Sequence, residues 1–181
     1  MTNVAGIRPG FLVGQQVDQN GVALKDRTGA PLAFTPAVKL TETGSNLEVT
    51  GIRVVKYPID YTGGDNANND YVYFRLADVM LMKAEAILRG GTDAQTPLQL
   101  VNLVRARSGA TALGSVTLDV LLDERGRELY WEGYRRMDLI RFGKYLQAWQ
   151  EKATSDPKVL IFPIPARSLA ANPNLVQNPG Y

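Results

Sequence analysis

The 181-residue chain contains no cysteine and no histidine. These absences exclude zinc sites of the usual cysteine and histidine kinds, thiol nucleophiles, a Ser-His-Asp arrangement and acid–base catalysis by imidazole. They do not identify a compartment, because a protein without cysteine can occur anywhere. No metal ion or other cofactor is predicted.

An excess of one charge is also missing. The formal net charge is +2, and the most charged segment, residues 118–152, carries seven basic and seven acidic residues. A protein that neutralises several phosphates normally has an unbalanced basic face. Nucleic acid is therefore not an expected partner.

Long apolar runs are absent as well. No stretch approaches the roughly 18 apolar residues that a membrane-spanning helix needs. Residues 1–10 do not show the basic segment and apolar run of a signal peptide. The sequence therefore predicts either a cytoplasmic chain or one that has lost its export signal.

The first 70 residues contain turn-forming pairs of the kind that separate short strands and loops. Asn20-Gly21 predicts a β-hairpin turn, and Thr28-Gly29 predicts a second turn. The β-branched run Leu47–Tyr57 predicts one extended strand. The polar run Tyr61–Asp70 predicts a solvated loop.

The pattern becomes helical at Tyr71. Apolar residues recur at helical spacing as far as Leu88, where two glycines predict the end of a helix. Thr96 and Pro97 predict the start of a second helix, which runs to Arg107 and ends at Gly109 in the left-handed conformation. Two helices with so short a link form a helical hairpin.

A second helical pair is predicted further along. Thr117 is the expected N-cap of a third helix with a leucine stripe, and Gly133 predicts a break before a helical segment at 134–142. Residues 158–165 are expected to be extended near their prolines, and a short helical turn follows to Leu169. The predicted fold is mainly α: tetratricopeptide-like helical hairpins with loop-rich and short β-hairpin flanks. The predicted division is 1–70 and 71–181.

Arg125 occupies an unusual place, because it lies between Leu122 and Leu129 on the apolar stripe of the third helix. A long arginine can pack its stem on apolar neighbours and present its fork to a carboxylate. One interpretation is a partly buried structural network of Arg125, Glu128, Glu132, Arg135, Arg136 and Asp138. The other is a solvated face with ordinary ion pairs, each contributing about 0.2–0.5 kcal/mol. Spacing alone leaves both open.

Four motifs carry a family resemblance. They are RLADVMLMKAEA at 75–86, VNLVRARSG at 101–109, ERGRELYWEGYRRMDLIRFG at 124–143, and FPIP at 162–165 with NPNLVQNPGY at 172–181. In this order they resemble the hallmark segments of the SusD/RagB family. The resemblance runs from Lys56 to Tyr181.

The resemblance implies a function. Members of that family are surface-exposed outer-membrane lipoproteins that bind nutrients without catalysis and cover a TonB-dependent, SusC-like transporter. The expected ligand is a glycan, with peptide as the alternative, and the expected location is the cell outer membrane. Family chains are usually longer and begin with a lipidated cysteine, so this chain is expected to be part of a longer, lipid-anchored protein.

Four tyrosines are the candidate ligand contacts. Glycan binding needs exposed aromatic faces beside hydrogen-bonding side chains, and Tyr57, Tyr61, Tyr71 and Tyr73 flank the asparagine-rich loop. The alternative is that Tyr57, Tyr71 and Tyr73 pack internally. Trp131 is predicted to be a buried packing residue.

Two other functions compete with nutrient binding. A glycosidase would need a carboxyl group with a raised pKa. The only dense carboxylate set (Glu124, Glu128, Glu132 and Asp138) has arginines within four positions, which favour the ionised form. The chain is therefore not expected to be an enzyme. A helical protein-interaction module that docks on the transporter without binding ligand is the second alternative.

Overall fold

A computed structural model of the chain describes residues 10–18, 20–44, 46–57, 63, 68, 70–149 and 152–181. The internal contacts of the chain fall into two units, Met1–Tyr71 and Val72–Tyr181. The chain is helix-rich, with small strand pairs, as the sequence predicts.

The first unit contains two short antiparallel strand pairs. Strand β1 (Gly10–Leu12) pairs with β4 (Arg53–Val55), and β2 (Gly14–Gln15) pairs with β3 (Ala33–Phe34). The prediction of one strand over residues 47–57 is wrong. Asn46–Glu48 form a 3₁₀ helix, and Gly51 turns the chain at a φ of +81° before β4 begins.

Both predicted turns of the first unit are present, and they are built alike. Asp18 accepts backbone N–H groups across the turn at Gly21, and Asp26 does the same across the turn at Gly29. The turns return the chain to one place, where three residues spaced eight apart close a ring of backbone hydrogen bonds. Leu24 N–H donates to Gln16, Leu32 to Leu24 and Gln16 to Leu32, each at 2.9 Å between nitrogen and oxygen.

The second unit contains five α-helices and one 3₁₀ helix among its described residues. The α-helices are α1 (Leu76–Leu88), α2 (Pro97–Arg107), α3 (Leu118–Glu128), α4 (Arg135–Arg141) and α5 (Ala166–Ala171). The 3₁₀ helix covers Pro157–Leu160 and ends before the extended backbone expected near Pro163 and Pro165. Asp156 caps this turn by accepting the Lys158 N–H, and extended backbone resumes at Ile161.

The predicted N-caps of α2 and α3 and the glycine after α2 are confirmed, whereas α1 begins at Leu76, later than the change of pattern at Tyr71. The Thr96 hydroxyl accepts the Gln99 N–H while the Gln99 side chain accepts the Thr96 N–H, which is a complete capping box. Thr117 caps α3 by accepting the Val120 N–H. Gly109 lies at a φ of +66° beyond α2. Side-chain caps of this kind stabilise a helix by about 1 kcal/mol each.

The apolar core of the second unit joins the first three helices, with α1 packed against both α2 and α3. Its buried members come from one face of each helix: Ala77, Leu81, Ala84, Leu100, Val101, Val104 and Leu121. Within the part of the chain that the structure describes, no helix has both the length and the apolar character that crossing a membrane requires.

The C-terminal tail is held by side-chain contacts instead of regular structure. The Gln177 amide accepts the Ile164 N–H at 2.8 Å and donates to the Ile164 carbonyl at 2.9 Å, as a neighbouring strand would. Asn178 donates to the Phe162 carbonyl, and the Tyr181 hydroxyl donates to the Ile161 carbonyl. These bonds return the tail to the segment that follows the 3₁₀ helix.

Candidate functional site

Arg125 is the centre of a buried ion network that joins three helices. Its side chain is 2% exposed. Its Nε donates to Asp138 of α4 at 2.9 Å, and its Nη1 lies 2.9 Å from an oxygen of Asp78 of α1. Of the two interpretations that the sequence leaves open for Arg125, the structure therefore shows the buried one.

The two contacts of Arg125 differ in kind. The bond to Asp138 has hydrogen-bond geometry, whereas the pair with Asp78 is close in distance but poorly directed, so neither Asp78 oxygen has a hydrogen-bond donor among the described residues. Burying a carboxylate is costly unless its charge is compensated. Arg125 supplies that compensation to Asp78 by charge alone.

Arg75, the residue before α1, connects α1 to the end of α3. Its Nε and Nη2 donate to the two Glu132 oxygens at 2.7 Å each, and its Nη1 donates to Glu128. The hydrogen bonds to Glu132 make the largest contribution and, with those to Glu128, raise the pKa of Arg75 above its usual range despite the opposing effect of burial. The guanidinium is thus permanently charged, and its planar fork matches the Glu132 carboxylate.

A second fork joins α1 to α4. Arg141 donates from Nε and Nη2 to the two oxygens of Glu85, at 2.8 and 2.9 Å, and also donates to Asp138. Arg89 adds a bond of 2.9 Å to Glu85. Burial opposes ionisation of Glu85, but the hydrogen bonds and charges of Arg141 and Arg89 outweigh it, so the pKa of Glu85 is lowered.

Helix α2 contributes two more arginines to the same set of carboxylates. Arg105 donates to Glu124 at 2.7 Å, and Arg107 donates to Glu128 at 2.7 Å. Arg127 of α3 also donates to Glu124, which lies on the same helix α3, at 2.8 Å. The ion network therefore spans α1, α2, α3 and α4.

Two predicted network members bind backbone carbonyls instead of carboxylates in the contacts described. Arg135 donates to the Leu122 carbonyl at 2.8 Å, and its guanidinium lies over Gly126, where an added Cβ would meet Nη1 at 2.8 Å. Arg136 donates to the Val159 carbonyl at 2.6 Å and stacks on Phe162, 4.2 Å from the ring centroid. Both arginines therefore hold chain segments in place.

Sequence reasoning missed most of this network. The missing partners are Arg75, Asp78, Glu85, Arg89, Arg105, Arg107, Glu124, Arg127 and Arg141. A signal was present for two of them, because Asp78 and Glu85 share a helical face with the core residues Leu81 and Ala84. A charge on a core face is the same anomaly that identifies Arg125.

The chemistry of these carboxylates is that of a scaffold. Each of the four carboxylates in the hallmark segment, Glu124, Glu128, Glu132 and Asp138, has at least one arginine partner. These contacts engage the carboxylates in joining the helices to one another. Among the described residues, no group of acidic side chains is arranged to hold a metal ion.

The candidate tyrosines lie in both units. Tyr57 and Tyr71 belong to the first unit, with ring centroids 5.5 Å apart at 47°, and Tyr71 is 53% exposed. Tyr73 belongs to the second unit, is 74% exposed, and accepts the Tyr134 hydroxyl at its backbone carbonyl. Tyr61 lies outside the described residues. The alternative of internal packing is wrong for Tyr71 and Tyr73.

The prediction that Trp131 is buried is wrong. Its side chain is on the surface, with 65% of the residue exposed, and its φ of +63° is a left-handed value that is uncommon for a residue other than glycine. The neighbouring Glu132 takes the inward position to meet Arg75 and is 4% exposed. The indole is thus exposed, whereas the side chain that follows it is buried.

Trp131 lies at the edge of a groove of about 700 Å³ between the end of α3 and the start of α4. Tyr130 also lines the groove, together with the arginines Arg125, Arg127, Arg135 and Arg136. The groove thus offers exposed aromatic surface beside arginine groups. The sequence did not predict this groove, because the position of Trp131 inside the hallmark motif favoured a buried packing residue.

The fold and the network define a helix-rich scaffold whose helices are joined by arginine–carboxylate contacts. The family model described as the SusD family matches residues 25–159. The chain belongs to the SusD family, which is a family of binding proteins and not of enzymes.

Three relatives illustrate the likeness. Starch-binding protein SusD of Bacteroides thetaiotaomicron is 40% identical over 124 residues, which are 63% of this chain and 22% of that protein. A laminarin binding SusD-like protein has a similar structure, with a TM-score of 0.54 and 41% identity over 64% of this chain and 24% of the other. Surface glycan-binding protein A from Bacteroides thetaiotaomicron has a TM-score of 0.59 and 26% identity over 74% of this chain and 30% of the other. The chain thus spans less than a third of each relative.

Proposed function

We propose that the chain is part of a non-catalytic protein that captures an extracellular glycan at the outer membrane and passes it to a TonB-dependent, SusC-like transporter. The observation that carries the proposal is membership of a family whose named relatives bind starch and laminarin. In this proposal the protein is lipid-anchored and surface-exposed. Residues 71–181 form its tetratricopeptide-like helical region, and residues 1–70 form a separate segment.

The ion network supports a scaffolding role for the helical region. Arginine–carboxylate contacts join α1 to α3 and α4 through residues far apart in sequence, such as Arg75 with Glu132 and Glu85 with Arg141. Forked pairs of this kind fix the orientation of both side chains. A rigid helical frame suits a protein that presents a ligand surface to a partner without changing the ligand chemically.

The proposed glycan contacts are Tyr57, Tyr71 and Tyr73, with Tyr61 retained from the sequence. Sugar rings stack on exposed aromatic faces and exchange hydrogen bonds with neighbouring polar groups. The exposure of Tyr71 and Tyr73 supports this assignment. Because the chain covers only 22% of the starch-binding relative, we expect much of the ligand surface to come from regions outside this chain.

Calorimetric titration of the full chain with maltoheptaose, laminarihexaose and an oligopeptide mixture tests the proposal. Weak binding of one glycan and none of peptide is expected, and Tyr71→Ala should lower the affinity by about fivefold, the loss of roughly 1 kcal/mol of aromatic contact. Trp131→Ala is the matched control, because Trp131 is also an exposed aromatic residue but lies in the groove beside α3. Sub-micromolar affinity would contradict the view that most of the site lies elsewhere, and a loss only in Trp131→Ala would move the site to the groove.

Two further measurements separate the competing functions. Release of reducing sugar that Glu128→Gln abolishes while the fold is retained would indicate an enzyme. Binding to the extracellular face of the transporter, with no glycan affinity, would favour the interaction module that docks without ligand. Glycan affinity without hydrolysis supports the proposal.

A further inference from the structure

The groove beside Trp131 has an excess of positive charge, unlike the ion network that it adjoins. Of the arginines in α2, α3 and α4, Arg135 and Arg136 are the two that have no carboxylate partner among the described residues. Both line the groove, where Asp123 is a nearby carboxylate. Two uncompensated guanidinium groups therefore accompany one carboxylate, and the groove attracts anions.

Arg135 presents to solvent the edge of its guanidinium that best holds a planar anion. Its Nη1 donates to the Leu122 carbonyl, whereas its Nε and Nη2 have no acceptor among the described residues, and the residue is exposed. Nε and Nη2 are the same two atoms with which Arg75 and Arg141 hold their glutamates. An open edge of this kind can accept the two oxygens of a carboxylate or of another planar anionic group.

Two exposed aromatic side chains lie in the same groove. Trp131 is 65% exposed and Tyr130 is 41% exposed. The backbone of Trp131 is held at a φ of +63° next to Glu132, which the Arg75 fork fixes in place. Backbone strain of this kind persists where the surroundings determine it, and it is concentrated at binding sites. The indole is therefore a positioned surface on a rigid frame.

The size and the chemistry of the groove together select a class of ligand. Its volume of about 700 Å³ is within the range of about 300–1,000 Å³ of small-molecule sites. An aromatic face binds the apolar side of a sugar ring, and a carboxylate such as Asp123 accepts hydroxyl groups. The open guanidinium edge adds a requirement for negative charge, which neutral glucans do not meet. Acidic sugars satisfy all three conditions.

We infer that the groove is a second glycan site, specific for an anionic sugar unit, in which the ring stacks on Trp131 and the carboxylate or sulfate oxygens accept from Nε and Nη2 of Arg135. A hydroxyl of the same unit donates to Asp123. The inference takes its ligand class, a glycan, from the proposed function. It is separate from the tyrosine contacts, because the groove lies between α3 and α4 and contains neither Tyr71 nor Tyr73.

Calorimetric titration of the full chain with three oligosaccharides tests the inference. The probes are trigalacturonate, which carries carboxylates, a κ-carrageenan tetrasaccharide, which carries sulfates, and neutral maltotriose. At least one anionic probe should bind about tenfold more tightly than maltotriose at low salt, and added sodium chloride should reduce that preference. The tighter anionic probe identifies the anionic group. Equal affinity of all three probes, or no binding of either anionic probe at about 1 mM, would overturn the inference.

Two substitutions locate the bound sugar. Arg135→Gln should lower the affinity for the anionic probe by at least about fivefold. Arg167→Gln is the matched control, because Arg167 is an exposed arginine of α5 that does not line the groove. Trp131→Ala should cause a similar loss, whereas Trp131→Phe retains an aromatic face and should stay within about threefold of the natural chain. Equal losses in Arg135→Gln and Arg167→Gln would indicate general attraction of anions and would overturn the inference.

Fluorescence provides a measurement that does not require a change at Arg135. The chain has two tryptophans, so Trp149→Phe leaves Trp131 as the sole indole. Saturation with the anionic probe should reduce acrylamide quenching of this indole by at least about twofold, because a stacked ring covers it. Unchanged quenching at saturation would overturn the inference even if Arg135→Gln does not fold.

An acidic peptide is the competing ligand. A triglutamate peptide with blocked ends carries the same number of carboxylates as trigalacturonate, and equal affinity for it would overturn the inference. The failure of this site is distinguishable from failure of the proposed function. If a neutral glycan binds and depends on Tyr71 while both anionic probes fail, the inference falls and the proposed function stands. If no neutral or anionic glycan binds, both fall.

Discussion

The Arg125 guanidinium donates its Nε–H to Asp138 at 2.9 Å, and both side chains are 2% exposed. An arginine on the leucine stripe of α3 thereby becomes part of the interior of the helical unit. The pair joins α3 to α4 across the turn that contains Trp131. Its isolation from solvent makes it the most sensitive point of the ion network.

Replacement of Arg125 by leucine should lower the free energy of unfolding by about 3–5 kcal/mol, because it leaves Asp78 without its charge partner and Asp138 with only Arg141. The measurement is chemical denaturation followed by circular dichroism. Arg127→Leu is the matched control: it lies two positions along the same helix, its side chain is 56% exposed, and its loss should cost less than about 1 kcal/mol. A cost below about 1 kcal/mol for Arg125→Leu would show that the network is effectively solvated.

Gly126→Ala should change the free energy of unfolding differently in two backgrounds. Alanine in place of a helical glycine ordinarily stabilises by about 1 kcal/mol. Here the new methyl group would meet the Arg135 guanidinium at 2.8 Å and displace it from the Leu122 carbonyl. We expect no gain or a small loss in the natural chain, and a gain of about 1 kcal/mol when Arg135 is alanine.

A double-mutant cycle of Gly126→Ala and Arg135→Ala measures this coupling. A coupling energy of about 1 kcal/mol is expected for groups in direct contact. Equal effects of Gly126→Ala in both backgrounds would mean that Arg135 moves aside at no cost, and that the glycine is not required by the arginine.

Trp131 provides a test of backbone conformation. At a φ of +63° a residue with a Cβ is strained, and glycine is not. Trp131→Gly should therefore be more stable than Trp131→Ala by about 1 kcal/mol, measured by thermal unfolding. Tyr130 is the control, because it is not among the described residues with positive φ, so alanine should be the better substitute there. Alanine preferred at both positions would contradict the left-handed turn.

The lowered pKa of Glu85 predicts how stability depends on pH. Since the folded chain holds this carboxylate ionised more tightly than the unfolded chain does, its contribution is present above the usual pKa of 4.5 and is lost as the pH falls through the folded value. The melting temperature should therefore fall on acidification below about pH 4.5, and Glu85→Gln should flatten that decline.

Thermal melts of the natural chain, Glu85→Gln and Glu42→Gln at a series of pH values check this expectation. Glu42→Gln controls for the simple removal of one carboxylate, since Glu42 pairs with Arg27 in the first unit. If the melting temperature falls with decreasing pH equally steeply in the natural chain and in Glu85→Gln, the pairs of Glu85 with Arg141 and Arg89 do not contribute to stability.

Local sequence signals predicted the helix boundaries well. Thr96 and Thr117 cap the helices that they were expected to cap, and Gly133, at a φ of +81°, lies in the break between α3 and α4. Each of these features depends on residues within a few positions, so a short stretch of sequence contains the cause. The family assignment rests on motifs of the same local kind.

Long-range partners were not predictable from the same reasoning. Arg75 and Glu132 are separated by 57 positions, and Glu85 and Arg141 by 56. No spacing rule within one helix connects them. The prediction of one strand over 47–57 was wrong because extended backbone depends on a partner strand. Within that run Arg53–Val55 pairs with β1, whereas Thr50 makes a single bridge, to Thr35.

The prediction that Trp131 is buried was wrong for a different reason. A large aromatic residue inside a motif of core residues is ordinarily packed, but the adjacent Glu132 takes the inward position because Arg75 requires it. The ion pair of Glu132 with Arg75 therefore determines the orientation of the neighbouring Trp131. Composition and periodicity contain no information on such competition.

The ring formed by Gln16, Leu24 and Leu32 has a consequence for engineering and for variation among related chains. Each aspartate turn begins and ends at the ring within eight residues and is closed by a backbone bond of its own, from Asp18 N–H to the Val22 carbonyl and from Asp26 N–H to the Ala30 carbonyl. Extra residues placed at the tip beside Gly21 or Gly29 would lengthen one arm and leave the other arm undisturbed. These two tips are therefore suitable places to insert an epitope or a fluorescent label.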